Sequence, residues 1–421
     1  MKALLKFISN FLFVIVAFIA LFAYAMFQGG FVSWFLFYGF LPILFYHFCL
    51  LLYPIKNWKA TRRLNHSVFH AGDGVKVTIE LERSIPFPLF YCIVEEKLPR
   101  TLNRMDTRRE KYHSMEKPKQ LYSYRIVKRV IFPLFKRKVE ISYKLSEVPR
   151  GEHQLTGIGV QTGDIFGFVK KESVFPIVDE FTAYPNERPL RIIERVSSFE
   201  HGSIASSVQN LKNTNVVTGV REYAPGDRFS WIDWKQTARK NAVMTKEFEQ
   251  EKNTNMLVIL DHCNYQGINS LAFEATIELT LSLMETIRKQ ATQVGLVSIG
   301  QDMKRFPIYD TTTSTVIKRH LTRLEPTGER PFSLMLKEKV KEISSGEIVI
   351  VITTHLDDFF KQTLQQMGQR INQVAVIFIQ SAALISGKEH QIIKQFEFSN
   401  VGIQVLTEHQ LVQNPIEVGL R

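Results

Sequence analysis

The sequence predicts a multidomain fold with two N-terminal transmembrane helices, an all-β sandwich-like domain, and a C-terminal α/β domain with a mainly parallel sheet. Three observations predict this order. The first 55 residues are almost wholly apolar, the next stretch alternates apolar and polar residues, and the last alternates apolar strands with amphipathic helices. A chain of 421 residues has room for two or three such units.

Two long apolar runs predict a transmembrane helical hairpin over residues 1–55. No Asp, Glu, Lys or Arg occurs from Phe7 to Ile55, and a bilayer core of ~30 Å requires about 20 apolar residues in a helix. The runs 8–27 and 31–53 meet that length, and Gln28-Gly29-Gly30 supplies a turn between them. Both runs are apolar on every side, which disfavours a buried hairpin in a soluble core.

Basic residues flank this hairpin, whereas its short connection carries no charge. Lys2 and Lys6 precede the first run, and four cations follow the second: Lys56, Lys59, Arg62 and Arg63. The positive-inside rule therefore predicts a multi-pass protein of the cell membrane, with both termini and the folded domains in the cytoplasm. A cleaved signal peptide is the alternative, because Ala23-Tyr24-Ala25 resembles a signal-peptidase site, but the run is longer than a signal core.

The net charge of +12 and the pI near 9.4 favour an anionic partner. Much of the excess lies between Lys97 and Lys138, and for a membrane-held chain the simplest such partner is anionic lipid headgroups. Nucleic acid is the alternative, but no recognised nucleic-acid motif is present, and we expect no such partner. The three cysteines show no CxxC spacing, which argues against a zinc site or a disulfide framework and suits a reducing compartment.

Residues 56–190 show the period-two alternation of β-strands. Val75–Leu81 and Val139–Leu145 alternate apolar and polar side chains, Phe90–Val94 is a third strand-like run, and turn-forming Gly, Asp and Pro residues separate the three. This spacing predicts a small antiparallel sandwich. The charged stretch Thr101–Lys119 shows no such pattern, and we expect a long loop there.

Residues 251–421 alternate continuous apolar strands with amphipathic helices. We predict strands at 255–260, 294–299, 304–309, 348–353, 374–379 and 403–406, and helices at 271–290, 315–324, 332–343 and 356–371. Strands rich in Val and Ile along their whole length are typical of a mainly parallel sheet that is covered on both faces. Such sheets bind ligands at the carboxyl ends of their strands.

The most distinctive motif lies in the segment 191–250. Pro225-Gly226 predicts a turn, Asp227 is placed to cap a helix from Phe229 to Lys240, and Trp231 and Trp234 would share one face of that helix. A strand is predicted at 243–248. The candidate partner-binding residues are Arg221, Tyr223, Pro225, Gly226, Asp227, Trp231, Asp233, Trp234, Lys235 and Arg239.

Two interpretations of this motif remain open. In the first it is an architectural joint, in which the tryptophans form an interdomain core and the charged residues form structural ion pairs; packing considerations alone favour this one. In the second it is a docking surface, because two Trp, one Tyr and two Arg in a short span have the composition of a binding hot spot.

The stretch from Arg221 to Arg239, R-E-Y-A-P-G-D followed by I-D-W-K-Q-T-A-R, resembles the signature of the domain of unknown function 58 family, the YeaD-like membrane proteins of bacteria. The upstream stretch from Arg150 to Gly167 is also similar, as is the order of two spans, a β domain, the motif and an α/β region. The resemblance covers nearly the whole chain. It implies that the C-terminal domain is von Willebrand factor A-like.

Domains of the von Willebrand factor A type hold a divalent metal through Asp-x-Ser-x-Ser after the first strand, since hard oxygen ligands suit Mg²⁺. Here that strand ends at Asp261, and Cys263 and Tyr265 occupy both serine positions. Thr353-Thr354-His355 follows a later strand, where the resemblance implies an aspartate. We therefore expect this degenerate site to hold no metal and no cofactor. A Cys263–His355 pair would lack the third member of a catalytic triad.

The resemblance implies a non-enzymatic binding or assembly protein. Proteins of this family are commonly encoded beside MoxR-type AAA+ ATPases, and a membrane-held adaptor would present clients to such an ATPase. A structural scaffold for envelope proteins is one alternative, and a metal-dependent hydrolase is a second. The sequence lacks a Walker loop, an HExxH motif and a nucleophile elbow, so the enzyme is the less favoured of the two.

Overall fold

The computed structural model describes residues 2–193, 217–224, 229, 232–240, 242–248, 256–290, 293–307, 309–340, 343, 347–371, 373–396 and 401–419. The chain divides into two compact units. The first comprises Met1–Arg108 and Lys119–Tyr184, and the second comprises Arg109–Pro118 and Pro185–Arg421. The short segment Arg109–Pro118 therefore belongs to the second unit, although its sequence neighbours belong to the first.

The N-terminal apolar runs form two helices, α1 (Lys2–Gln28) and α2 (Phe31–Leu52). Both are long enough and apolar enough to cross a membrane, and they confirm the predicted helical hairpin. Gly29 makes the turn between them with a φ of 54°, a conformation that favours glycine. Large apolar side chains such as Ile19 and Phe35 remain exposed on the helices, as expected for contact with lipid.

The rest of the first unit is β-rich, and its strands form three sheets with the orders β1-β3-β6, β2-β10-β7 and β5-β4-β8-β9. β3, β4 and β6 confirm the three predicted strands. Within these sheets β2 runs parallel to β10, which departs from the antiparallel arrangement that we expected. The strands are β1 (Lys59–Leu64), β2 (Val68–His70), β3 (Val75–Glu82), β4 (Tyr91–Glu96), β5 (Val127–Ile131), β6 (Lys138–Leu145), β7 (Gly151–Leu155), β8 (Ile158–Gly163), β9 (Lys170–Phe175) and β10 (Asp179–Tyr184).

The inward side chains of these sheets share one hydrophobic core, because strands such as β3 bury every second residue. A buried ion pair crosses it. The Arg62 guanidinium lies 2.6 Å from the Glu96 carboxylate, and the Tyr143 hydroxyl donates to the same carboxylate at 2.8 Å. Arg62 is therefore paired inside the β-rich unit, so it is not a free cation of the membrane flank as its sequence position suggested.

The second unit contains every strand and helix that we predicted between residues 255 and 406, close to the expected bounds; α8, α9 and β20 were not predicted. Its elements are β11 (Leu190–Ile193), β12 (Val217–Glu222), α3 (Trp234–Lys240), β13 (Met244–Phe248), β14 (Met256–Asp261), α4 (Ser270–Lys289), β15 (Val294–Ile299), β16 (Met303–Phe306), α5 (Thr311–Arg323), α6 (Phe332–Lys339), β17 (Ile348–Thr353), α7 (Asp358–Arg370), β18 (Gln373–Ile379), α8 (Gly387–Phe396), β19 (Val401–Leu406), α9 (Glu408–Val412) and β20 (Ile416–Gly419).

The main sheet of this unit has the order β16-β15-β14-β17-β18-β19, and only the edge strand β16 pairs antiparallel. Helices α6, α7 and α8 pack on a core that includes Leu257 and Ile259 of β14. Helix α4 contacts β14, β15, β17 and β18, and Val258 and Leu260 of β14 are fully buried on the opposite side. The prediction of a mainly parallel sheet that is covered on both faces is confirmed.

Candidate functional site

The strand order places the carboxyl ends of β14 and β17 side by side, at the point where the order of strand connection reverses. From β14 the chain proceeds to β15 and β16 on one side, and it returns to β17 on the other side. In doubly wound sheets this switch point is where ligands bind. β14 ends at Asp261 and β17 ends at Thr353, so these two side chains define the candidate site in the α/β region.

Asp261 is engaged by donors from its own unit. One carboxylate oxygen accepts the backbone N–H of Cys263 at 3.0 Å. The other accepts the hydroxyl of Tyr265 at 2.7 Å and the hydroxyl of Thr353 at 2.6 Å. The hydroxyl of Tyr265, where the resemblance implies a serine, therefore donates to the aspartate.

Burial raises the pKa of Asp261 to about 6, even though the bonds from Thr353, Cys263 and Tyr265 stabilise its charged form. Burial also raises the pKa of the Cys263 thiol, and the neighbouring Asp261 carboxylate raises it further. A nucleophilic cysteine needs a lowered thiol pKa. This environment therefore opposes covalent catalysis by Cys263.

His355 does not complete a catalytic pair with Cys263. The Cys263 thiol is directed at the carbonyl oxygen of Ile299, with the sulfur 3.7 Å from it. The His355 ring packs 4.5 Å from the Tyr265 ring, and its Nδ1 atom lies 3.8 Å from a Glu389 oxygen. In the part of the chain that the structure describes, no three His, Cys, Asp or Glu side chains are grouped to bind a metal ion.

The signature motif folds as a β-hairpin that carries a short helix. β12 pairs antiparallel with β13, and the predicted strand at 243–248 is confirmed. The helix begins at Trp234, not at Phe229 as we predicted, because Ile232 pairs with Thr245 in a β-bridge. The Asp233 carboxylate accepts the backbone N–H groups of Lys235 and Gln236, so Asp233 caps this helix.

The helix α3 presents an exposed aromatic side chain and three exposed cations. Trp234 is 69% exposed, and Lys235, Arg239 and Lys240 are exposed beside it. An exposed tryptophan is accessible to a binding partner, as the docking interpretation of the motif requires. Arg221 is also exposed, and Tyr223 packs against Phe229 at a ring distance of 6.1 Å. Four motif candidates, Pro225, Gly226, Asp227 and Trp231, lie outside the described residues.

The charged stretch that we expected to be a loop supplies buried side chains to the second unit. Its residues 100–121 form three short 3₁₀ helices. Lys111 forms an ion pair with Glu278 of α4, and both side chains are buried. The Tyr112 hydroxyl donates to the same carboxylate at 2.6 Å. The sequence analysis missed this cluster of Lys111, Tyr112 and Glu278. The available signal was α4, whose apolar residues occur on all sides, because such a helix has to be covered by other parts of the chain on both faces.

Comparisons with known proteins agree with the resemblance seen in the motif. A family model described as "Protein of unknown function DUF58" matches residues 219–383. The chain is 32% identical over 389 residues to the "Uncharacterized protein YeaD" of Bacillus subtilis (strain 168), and the match covers 92% of each chain.

Solved structures give weak matches. The CARDB domain of a Pyrococcus furiosus protein in complex with di-metal ions aligns with a TM-score of 0.18 and 7% identity, over 30% of this chain and 92% of that chain. The sporulation control protein Spo0M of Bacillus subtilis aligns with a TM-score of 0.15 and 10% identity, over 30% of this chain and 49% of that chain. TM-scores this low carry no argument about fold or function.

Proposed function

Since the chain belongs to the domain of unknown function 58 family, we propose that it is a membrane-anchored, non-enzymatic adaptor that works with a MoxR-type AAA+ ATPase. Its C-terminal unit would be a von Willebrand factor A-like binding module. The sheet order, the antiparallel edge strand and the aspartate at the end of the first strand support that assignment. The family resemblance supplies the ATPase partner.

The exposed face of α3 carries the proposal. An exposed tryptophan with neighbouring arginine and lysine side chains has the composition of protein-binding hot spots, where Trp, Tyr and Arg contribute most of the free energy. The partner surface would offer an apolar pocket for Trp234 and carboxylates for Arg239 and Lys235. The helix is pinned to the hairpin, because the Thr237 hydroxyl accepts the backbone N–H of Met244 at 3.0 Å. A preorganised helix loses less entropy on binding.

The chemistry of the switch-point site supports a binding role over an enzymatic one. Both oxygens of Asp261 already accept hydrogen bonds from protein donors. A hard cation such as Mg²⁺ would have to displace the Tyr265 and Thr353 hydroxyls as donors and would find a thiol where a serine oxygen is needed. The raised pKa of Cys263 likewise disfavours a nucleophile.

The membrane anchor determines where the adaptor acts. In this proposal the folded units lie on the cytoplasmic side. Two helices of spanning length, with cations before the first and after the second, support that orientation. Lys171 ties the anchor to the β-rich unit: its ammonium donates to the carbonyls of Leu51 and Tyr53, at 2.6 and 2.5 Å, where α2 ends.

A pull-down of the detergent-solubilised chain from its own cells tests the proposal, with and without a non-hydrolysable ATP analogue. We expect an AAA+ ATPase to be recovered in a nucleotide-dependent manner. We expect Trp234→Ala and Arg239→Ala to reduce that recovery at least tenfold, since hot-spot truncations cost about 2 kcal/mol or more.

Two matched controls separate docking from folding. Phe359→Ala removes an exposed aromatic side chain from α7 of the same unit, and Lys394→Ala removes an exposed cation from α8. Both controls should retain the ATPase, and all four variants should keep the wild-type thermal midpoint. Absence of any ATPase from the wild-type pull-down would contradict the adaptor proposal and favour a structural scaffold for envelope proteins.

A further inference from the structure

Two loops of the β-rich unit lie at the end where α2 joins it. The register pairs Lys59, the first residue of β1 after the anchor, with Glu82, and Glu82 with Lys138. The loop 132–137, which precedes Lys138, is therefore at this end. The register of the neighbouring sheet pairs Gly163 with Lys170, and Lys171 contacts the last turn of α2. The loop 164–169 is therefore at the same end.

These loops expose large apolar side chains beside cations. The six side chains, which we call the apolar rim, are each about half exposed or more: Phe132, Leu134, Phe135, Ile165, Phe166 and Phe168. Lys136, Arg137 and Lys138 follow directly and are exposed as well. Apolar side chains next to Lys and Arg are the composition of surfaces that lie in the interface of an anionic membrane.

Buried side chains of the β-rich unit hydrogen-bond backbone groups in both loops, and a surface that enters lipid needs such internal partners. The guanidinium of Arg83, which is fully buried, donates to the carbonyls of Leu134 and Lys136 in the first loop. In the second loop the Asp164 carboxylate accepts the backbone N–H groups of Phe166 and Val169, at 2.9 and 2.5 Å. The rim side chains are therefore held outward on hydrogen-bonded loops.

Contacts with the anchor helices set the depth of the rim. The Phe168 ring stacks 5.3 Å from the Phe13 ring of α1 and lies 5.9 Å from the ring of His47 in α2. Nε2 of His47 is 3.2 Å from an Asp164 oxygen. His47 lies five residues before the end of α2, which corresponds to roughly 7 Å along the helix. Interfacial amphipathic segments reach about 5–10 Å into the headgroup and acyl boundary.

We propose that the apolar rim is inserted into the cytoplasmic leaflet, so that the β-rich unit is a third membrane contact beside the two helices, with Lys136, Arg137 and Lys138 on anionic headgroups. This inference rests on the membrane anchoring proposed above. The bilayer is the occupant because the rim is continuous with the spanning helices and carries the charge that anionic lipid attracts. The insertion fixes the β-rich unit against the membrane.

Lipid-borne quenching tests the proposal on the full chain in nanodiscs that hold one copy each. The lipid is phosphatidylcholine with phosphatidylglycerol, with or without bromine on the acyl chains. An environment-sensitive fluorophore is attached to Phe135→Cys or Phe166→Cys in the rim. Phe22→Cys, in α1, reports the span, and Val178→Cys, which is 58% exposed at the opposite end of β9, is the matched control. The wild-type chain, treated with the same fluorophore, gives the background fluorescence from labelling of the native cysteines.

Three outcomes are distinguishable. Strong quenching at both rim positions, at least half that at Phe22→Cys, with none at Val178→Cys, supports insertion. Quenching at Phe22→Cys alone overturns the rim proposal and leaves the anchor intact. Absence of quenching at Phe22→Cys overturns the anchor and the rim together. Because each nanodisc holds one copy, burial of the rim against a second chain cannot imitate the first outcome.

Discussion

Replacing Lys111 with methionine is expected to destabilise the second unit strongly, although the residue lies in a charged stretch that carries no sequence signal of burial. The ammonium of Lys111 forms an ion pair with the Glu278 carboxylate inside the unit. Methionine preserves most of the side-chain volume but removes the charge. The Glu278 side chain, which is 5% exposed, would then lose this cation in a buried site, so that it either keeps a desolvated charge or takes up a proton, and both cost free energy.

The magnitude follows from the burial of both groups. Removal of one partner from a buried ion pair typically costs about 3–5 kcal/mol, because the remaining charge stays desolvated. Replacing both partners is far less costly. The double variant Lys111→Met with Glu278→Gln should therefore recover more than half of the loss, since the amide oxygen of glutamine still accepts the Tyr112 hydroxyl that now donates to Glu278 at 2.6 Å.

Hydrogen exchange of the amides of α4, measured on the detergent-solubilised full chain, is the suitable assay. A loss of 3–5 kcal/mol in the free energy of opening would speed this exchange by roughly two to four orders of magnitude. Lys117→Met is the matched control, because Lys117 is on the same segment with its side chain 68% exposed. Equal exchange in Lys111→Met and Lys117→Met, or no recovery in the double variant, would refute the reasoning.

Three further substitutions test other parts of the chain by denaturant or thermal unfolding. Burial lowers the pKa of His153 from 6.5 to about 4, so the folded state binds fewer protons than the unfolded state between these values. The free energy of unfolding should therefore fall by about 3 kcal/mol as the pH drops from 6.5 to 4. His153→Gln should remove this dependence on pH. An unchanged pH dependence in the variant would contradict the assignment of the effect to His153. Tyr265→Phe removes a hydroxyl that donates to buried Asp261 and should lower the free energy of unfolding by about 1–3 kcal/mol. Tyr124→Phe, at an exposed ring, is the control and should leave stability unchanged. Equal unfolding midpoints for the two variants would argue against a stabilising hydrogen bond from Tyr265 to Asp261. Gly163→Ala places a Cβ atom 2.5 Å from the carbonyl oxygen of Val169 and should lower the free energy of unfolding by about 1–3 kcal/mol. Gly387→Ala is the control, because Gly387 has open space around it. No loss of stability in Gly163→Ala would show that the loop after Gly163 can shift freely.

The sign of the His153 effect follows from burial, which disfavours the charged ring, and the two hydrogen bonds of the ring identify its neutral tautomer. Nε2 lies 2.8 Å from the carbonyl oxygen of Pro149, which can only accept, so Nε2 must carry the proton. Nδ1 lies 2.9 Å from the Thr101 hydroxyl and accepts from it. A second proton on the ring would break that bond in a buried site, so the neutral form is favoured and stability is fully present above pH 6.5.

Local patterns predicted most of the elements and part of the candidate site. The helix predicted at 356–371 is an example: α7 spans Asp358–Arg370, and the Asp357 carboxylate caps it by accepting the backbone N–H of Phe360. Cys263 and Tyr265, where the resemblance implies serines, also predicted an altered site at Asp261. The replacement hydrogen bonds from Tyr265 and Thr353 were not predictable, since Thr353 lies 92 residues away in sequence.

The helix of the signature motif shows how a local rule fails. Trp231 and Trp234 have helical spacing, and Asp227 is a suitable cap, so the sequence alone favours an early start. The β-bridge between Ile232 and Thr245 holds Ile232 against β13, and the helix begins two residues later, at Trp234. Ile232 and Thr245 are both buried, so the hairpin contact outweighs the small preference for one more helical turn.

Hydrophobic periodicity predicts the helical hairpin, most strands and helices of the α/β region and its mainly parallel sheet, because each segment carries this pattern locally. Which polar groups are buried together depends instead on contacts between segments that are distant in sequence. Lys111 meets Glu278 across 167 residues, and Arg62 meets Glu96 inside the β-rich core. A lysine or arginine in a charged stretch has the same local pattern whether it faces water or a buried carboxylate, and the difference lies in the surrounding chain that removes the water.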